Sequence, residues 1–276
     1  MGQLDGKIAV VTGVGRPLGI GRSCALKLAE MGADVMISDL CRKYEGDLES
    51  YNLGQWEQLE KVAGEIEAKG RKARAFKVDV TIRSEIEDMV GAVVKEFGHI
   101  DVLINNAGTG VGVGPFLNIS EAAWDKTIDV NLKGIFHCCQ LIIPHMIEAG
   151  GGKIVNIASG AGLRGAALYG AYTASKFAAV GISQVLGAEF APFGINVNAV
   201  CPAIVDTDMG FDQYEFLSFM KGTSVDEVRE GLNERIPLGR AATADDVAET
   251  VGFLVSPAAE YIVGQAIRVS GGKELT

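Results

Sequence analysis

The stretch Ile8-Ala9-Val10-Val11-Thr12-Gly13-Val14-Gly15-Arg16-Pro17-Leu18-Gly19-Ile20-Gly21 passes from an unbroken apolar run into a cluster of glycines. A short apolar run bounded by turn residues reads as a strand covered on both faces. Glycines at 13, 15, 19 and 21 permit a tight turn and a close approach of ligand to backbone. The amphipathic segment 21–31 follows as a helix, and a helix N-terminus behind such a turn attracts phosphate through its N–H groups and dipole. Strand, glycine loop and helix in that order predict a dinucleotide phosphate site on the first crossover of an α/β sheet.

Outward from this stretch the same alternation persists. Strand-like runs fall at 8–12, 34–38, 73–78, 102–105, 153–158, 195–200 and 266–269. Helix-period segments lie between them at 21–31, 56–69, 82–97, 122–149, 172–190 and 244–255. Short strands separated by helices predict right-handed βαβ units, hence a doubly wound parallel sheet of about seven strands with helices on both faces. No linker or repeat divides the chain, so residues 1–276 read as one α/β domain of Rossmann type. Two segments stand outside the alternation: a polar insertion at 41–54 and a helix-containing flap at 206–237, which is expected to cover the C-terminal edge of the sheet.

Composition narrows the function. The chain has 276 residues, 48% of them hydrophobic, and a net charge of −10 without a basic block. Nucleic acid and anionic membranes need clustered Lys and Arg, so neither is an expected partner. No apolar run reaches the roughly 20 residues that span a bilayer. The five cysteines have neither regular nor metal-ligand spacing and read as free thiols. Cys138-Cys139 is expected to place one thiol inward and one outward. With no leader-like start, the expectation is a cytoplasmic protein that binds a small molecule and no metal.

Four positions carry the chemistry. Asp39 ends the second strand, eighteen residues beyond Gly21, where a carboxylate accepts hydrogen bonds from a ribose diol and repels a 2′-phosphate. NAD is therefore expected over NADP, although Arg42 and Lys43 follow closely. Tyr172 and Lys176 are four residues apart, on one face of a helix. An ammonium beside a phenol favours the phenolate and brings a group that titrates near roughly 10 towards working pH. Ser159 lies thirteen residues earlier, at a strand end from which a loop can return the tyrosine to it. A Y-x-x-x-K pair alone equally describes an ordinary surface pair; its neighbours decide.

Together the motifs resemble the short-chain dehydrogenase/reductase family over nearly the whole chain. They are T-G-V-G-R-P-L-G-I-G at 12–21, Asp79-Val80, Asn105-Asn106-Ala107-Gly108, Asn131 in V-N-L-K-G, Ser159, Tyr172 with Lys176, and Cys201-Pro202-Ala203 with Thr207. The resemblance implies a catalytic tetrad of Asn131, Ser159, Tyr172 and Lys176. Tyr172 would be the acid/base and Ser159 would orient the reacting oxygen. Lys176 would bind the nicotinamide ribose and lower the tyrosine pKa, and Asn131 would hold a proton-relay water. Cofactor contacts would come from Gly13, Gly15, Arg16, Leu18, Gly19, Ile20, Asp39, Asp79, Val80, Asn105, Ala107, Gly108, Pro202, Ala203, Val205 and Thr207. A homotetramer built through 122–149, 172–190 and 267–272 is implied as well.

Three departures bear on specificity. The glycine loop is two residues longer than T-G-x-x-x-G-x-G, a length similar to the enoyl-reductase branch; the Tyr172/Lys176 spacing instead favours alcohol/ketone chemistry. Ala203 stands where the family commonly has glycine. The 41–54 insertion is expected to cover the adenosine half of NAD and slow its release. The reaction expected is reversible hydride transfer between NAD and a secondary alcohol or ketone. A 3-oxoacyl thioester reductase and a non-catalytic NAD-binding subunit are the alternatives. Ala161, Arg164, Tyr169 and Met209 are the candidate substrate contacts, with Arg164 either facing an anionic group or solvated.

Overall fold

The computed structural model of the chain describes residues 2–44 and 53–273. Seven strands form one sheet: β1 (Ile8–Thr12), β2 (Asp34–Asp39), β3 (Ala73–Lys77), β4 (Val102–Asn105), β5 (Gly152–Ile157), β6 (Ile195–Pro202) and β7 (Ala266–Val269). All neighbours are parallel, in the order β3-β2-β1-β4-β5-β6-β7. The winding reverses between β1 and β4, and the crevice above such a reversal is where α/β sheets bind ligands.

The helices are α1 (Ile20–Glu30), α2 (Trp56–Glu67), α3 (Arg83–Phe97), α4 (Glu121–Ile128), α5 (Gly134–Glu148), α6 (Gly170–Phe190), α7 (Asp208–Lys221), α8 (Val225–Asn233) and α9 (Ala244–Val255). Strand alternation divides the core into two layers. Ala9 and Val11 of β1 face Leu28 of α1, Leu59 of α2 and Val251 of α9. Ile8 and Val10 face Met89 of α3, Ile142 of α5 and Ala179 of α6. Leu28, Leu59 and Ile142 have no exposed surface, and burial of each side chain stabilises the fold by about 2 kcal/mol. The edge strand β3, by contrast, is not fully buried anywhere along Ala73–Lys77 and carries Arg74 and Lys77, charges that discourage edge-to-edge pairing.

The segment expected as one helix over 122–149 is interrupted. Ser120 caps α4 by accepting from the Ala123 amide at 3.2 Å. Between α4 and α5, Asp129–Lys133 is a π-helical turn, a form that often marks functional positions. Cys138 and Cys139 do not divide inward and outward: both are buried, because α5 is apolar nearly all round and packed on more than one side. All five cysteines are free thiols.

The flap comprises α7 and α8 with a small core of Ile204, Tyr214, Val228, Ile236 and Ala241. Thr207 caps α7, and a Ser224/Glu227 capping box starts α8. Asp206 ties the two helices together, accepting from Tyr214 Oη at 2.8 Å and from Arg229. Of the 41–54 insertion, residues 45–52 lie outside the described residues. Its flanks, Tyr44 and Leu53, pack with Leu40, Val111 and Ile119. No described helix is long and apolar enough to cross a membrane.

Candidate active site

At the crevice the first and fourth strands hand their loops to each other. Gly13 has φ +73°, and a Cβ there would lie 2.7 Å from the Ala107 Cα, so only glycine lets the two loops cross. Asn106 Nδ2 donates to the carbonyls of Thr12 at 2.9 Å and Gly13 at 2.8 Å. Thr12 Oγ1 in turn accepts from the amides of Asn106 and Ala107, both at 3.1 Å. A Cβ on Gly21 would meet the Gly13 carbonyl oxygen at 2.4 Å, which seats the start of α1 tightly on this turn.

Asp39 emerges from β2 into the same cleft. It accepts from the Gly15 amide at 2.7 Å. Burial raises its carboxyl pKa, against the lowering effect of backbone N–H groups of Gly15, Cys41 and Leu40 and of the nearby Arg16. Arg16 spans two elements: its guanidinium lies 3.6 Å from Asp212 of α7. The Leu18 amide donates to Asp208 of the same helix at 2.9 Å. The two added residues of the glycine loop thus meet the flap.

Tyr172 and Lys176 stand on the first turns of α6, with the Lys176 ammonium 5.6 Å from the Tyr172 ring centroid. Lys176 is buried and donates to the Ile157 carbonyl at 2.8 Å. Desolvation lowers its pKa from 10.5 to about 8. Ser159 follows two residues after Ile157, and its hydroxyl accepts from the Ala161 amide at 3.1 Å. A Cβ on Gly162 would approach the Lys176 carbonyl oxygen to 2.6 Å, so this glycine brings the serine loop back onto α6. Asn131, in the π turn, accepts from the Thr109 amide at 2.8 Å and donates to the Thr109 carbonyl and Ser175 Oγ, each at 3.0 Å. Ser175 Oγ donates to the Tyr172 carbonyl at 2.7 Å. A Cβ at Gly108 would lie 3.4 Å from Asn131 Oδ1 and 3.6 Å from Lys176 Nζ, so these two side chains converge there.

One continuous cleft gathers Gly13, Arg16, Gly19, Ile20, Asp39, Asp79, Val80, Ala107, Gly108, Ser159, Tyr172, Lys176, Pro202, Ala203, Val205 and Thr207. Ala161, Arg164, Tyr169 and Met209 line it too. Four expected residues do not. Asn105 is the last residue of β4, buried in the sheet, where it donates to Asn156 at 2.8 Å; Asn106, one position on, borders the cleft instead. Gly15 packs behind Asp39, Leu18 points towards solvent at the flap, and the Asn131 side chain is held below the cleft by its buried bonds to Thr109 and Ser175. Leu40, Tyr44, Leu53, Gln213 and Phe216 line the cleft as well; Leu40 was not anticipated, and the other four fall in the two segments expected to cover it, 41–54 and 206–237, without having been singled out by residue.

The sequence profile of the family described as short chain dehydrogenase matches residues 7–216. The chain belongs to the short-chain dehydrogenase/reductase family. It is accordingly an NAD(P)-dependent dehydrogenase/reductase, as the resemblance in its motifs implied. A 3-oxoacyl-(acyl-carrier-protein) reductase of Staphylococcus epidermidis is 37% identical over 96% of this chain and 98% of its own length. The crystal structure of carveol dehydrogenase from Mycobacterium avium in complex with NAD superposes with a TM-score of 0.93 at 29% identity, covering all of both chains. An actinorhodin polyketide ketoreductase with NADPH gives 0.87 at 35% identity, covering 98% of each chain.

The residues of this cleft fit a nicotinamide dinucleotide on their own geometry. Glycine-only backbone opens at the N-terminus of α1, a carboxylate waits at the end of β2, and the buried Lys176 ammonium has one protein acceptor among the described residues for its three N–H groups.

Proposed function

We propose that this enzyme interconverts a secondary alcohol and its ketone with NAD, using Tyr172 as general acid/base. The observation that carries this reading is Lys176, a buried ammonium with a lowered pKa held over the Tyr172 ring, in the cleft that Asp39 and the glycine loop share. The bound cofactor supplies the hydride acceptor or donor. Everything else falls to the chain. Ser159 donates a hydrogen bond to the reacting oxygen, Tyr172 takes or returns its proton, and Lys176 holds the ribose hydroxyls while its charge favours the phenolate. Asn131 braces the Thr109 loop against α6 through Ser175, which fixes the tyrosine's backbone.

Asp39 supports NAD over NADP, since a 2′-phosphate would meet a carboxylate whose hydrogen-bond partners belong to the backbone. Of the cations that could favour NADP, Arg42 pairs with Asp79 and Glu85, and Arg16 beside Asp39 faces Asp212 of the flap. Tyr44, Leu53 and Gly54 line the cleft, and Gly54 lies against Gly15 and Asp39, which supports the insertion as a cover for the adenosine end. Exposed Phe136, Phe177 and Val185 on α5 and α6 support assembly through these helices into a homotetramer.

A second reading, reduction of 3-oxoacyl thioesters, is favoured by the relative from Staphylococcus epidermidis. The test is a panel of secondary alcohols, diols, sugars and hydroxyacyl-CoA esters with NAD and NADP, followed by the absorbance of the reduced cofactor. Turnover of alcohols with NAD supports the proposal; turnover confined to acyl thioesters with NADP overturns it.

A further inference from the structure

Beyond the groups used above, the cleft holds a second phenol with an unmet hydrogen bond. Tyr169 lines the cleft three residues before Tyr172, and the two rings meet edge to face with centroids 6.2 Å apart. Its hydroxyl is shut off from solvent and, among the described residues, makes no hydrogen bond. The Gln213 amide, which lines the same cleft from α7, is close enough to pull the phenol's pKa part of the way back down against burial but does not reach bonding geometry. Burial pushes the Tyr169 pKa up to about 12, so the group is a donor at any working pH. The residue before it, Leu168, holds φ +73°, a left-handed conformation that a branched side chain rarely adopts. Its carbonyl accepts from the Gly114 amide at 2.7 Å, which fixes the turn in that strained form. Strain of this kind persists where surrounding structure imposes it, and here it presents Tyr169 to the reacting centre.

A buried donor without a partner is costly in the free protein and is relieved only when something polar arrives. We propose that Tyr169, with Gln213, binds a second oxygen of the substrate within two carbons of the reacting carbon. The substrate class is then the diols and hydroxyketones, not hydrocarbon alcohols with a single oxygen. The inference rests on the secondary-alcohol reading above. Two phenols side by side divide the work: Tyr172 exchanges the proton, and Tyr169 donates to the neighbouring oxygen without titrating. Sites built to bond a substrate hydroxyl discriminate strongly against the analogue that lacks it, because their own polar groups are then stranded.

The experiment compares kcat/KM for 2,3-butanediol against 2-butanol, and for 1,2-cyclohexanediol against cyclohexanol, with NAD. Wild-type enzyme is expected to prefer each diol by about 100-fold or more. In Tyr169→Phe the diol-to-alcohol ratio falls about 10- to 100-fold, and Gln213→Leu shifts it in the same direction. Both rates in each ratio come from one preparation, so loss of folded protein cancels. A ratio unchanged in Tyr169→Phe overturns the proposal. Wild-type preference for the single-oxygen alcohols overturns it too, while leaving the reaction class standing. Absence of hydride transfer to every member of the panel overturns both.

Discussion

Replacing Lys176 by methionine should make the cofactor-free protein more stable at neutral pH while ending its turnover. Lys176 is buried, and its pKa falls from 10.5 to about 8 as the chain folds. Folding therefore places a charge where it is disfavoured, at a cost of about 3 kcal/mol at pH 7. Methionine of similar length removes that cost but strands the Ile157 carbonyl, which now accepts from Nζ at 2.8 Å, for a loss of about 1 kcal/mol. The net gain is about 2 kcal/mol, or roughly 4–8 °C in Tm for a domain of this size. The pH dependence fixes the cause. Below pH 8 both folded and unfolded lysine are protonated and the penalty is whole. Between pH 8 and 10.5 the unfolded chain binds the proton and the folded one does not, so wild type gains stability with rising pH. By pH 10.5 the variant's advantage is gone. Urea unfolding of both proteins at fixed concentration, at pH 7 and at pH 10, measures this. A Lys176→Met protein less stable than wild type at pH 7, or a difference that ignores pH, refutes the reasoning.

Asp39→Gly removes the carboxylate facing the ribose end, and the NADP-to-NAD ratio of kcat/KM should rise at least about tenfold; an unchanged ratio would move cofactor choice elsewhere. Asp212→Asn breaks the 3.6 Å contact with Arg16 between flap and glycine loop. Asp212 is 42% exposed at its side chain, so global stability should fall by less than about 1 kcal/mol, while amide exchange across 208–221 accelerates. Exchange left at the wild-type rate would show that this contact does not hold α7 down. Shortening 45–52 to a glycine–serine turn should speed NAD release in stopped-flow displacement, and an unaltered off-rate would remove the covering role assigned to the insertion.

The layered fold was legible because each strand is too apolar to face water on either side, and because amphipathic segments of helical length separate them. Tyr172 and Lys176 were legible because helix geometry alone sets their separation. Asn105, expected at the cleft, lies beneath it for a reason of parity: as the last residue of β4 it pairs with Asn156 within the sheet, and the chain turns outward only at Asn106. The π turn at Asp129–Lys133 was invisible in a sequence whose apolar spacing continues smoothly from α4 into α5. The flap folds back over the sheet as its place outside the alternation suggested, but which of its side chains turn inward, Gln213 and Phe216 among them, depends on long-range packing that no local pattern announces. Arg16 was expected only as a cofactor contact; in the fold it also faces Asp212, a partner almost two hundred residues away.

The central claim is that Tyr172 moves the proton while the rest of the cleft holds the cofactor. Tyr172→Phe tests it most directly, with NAD binding followed by titration and turnover followed by the absorbance of reduced cofactor on the best alcohol of the panel. The expected result is NAD affinity within about threefold of wild type and kcat lowered by about 10²- to 10⁴-fold. Turnover that survives the loss of the phenol oxygen would contradict it.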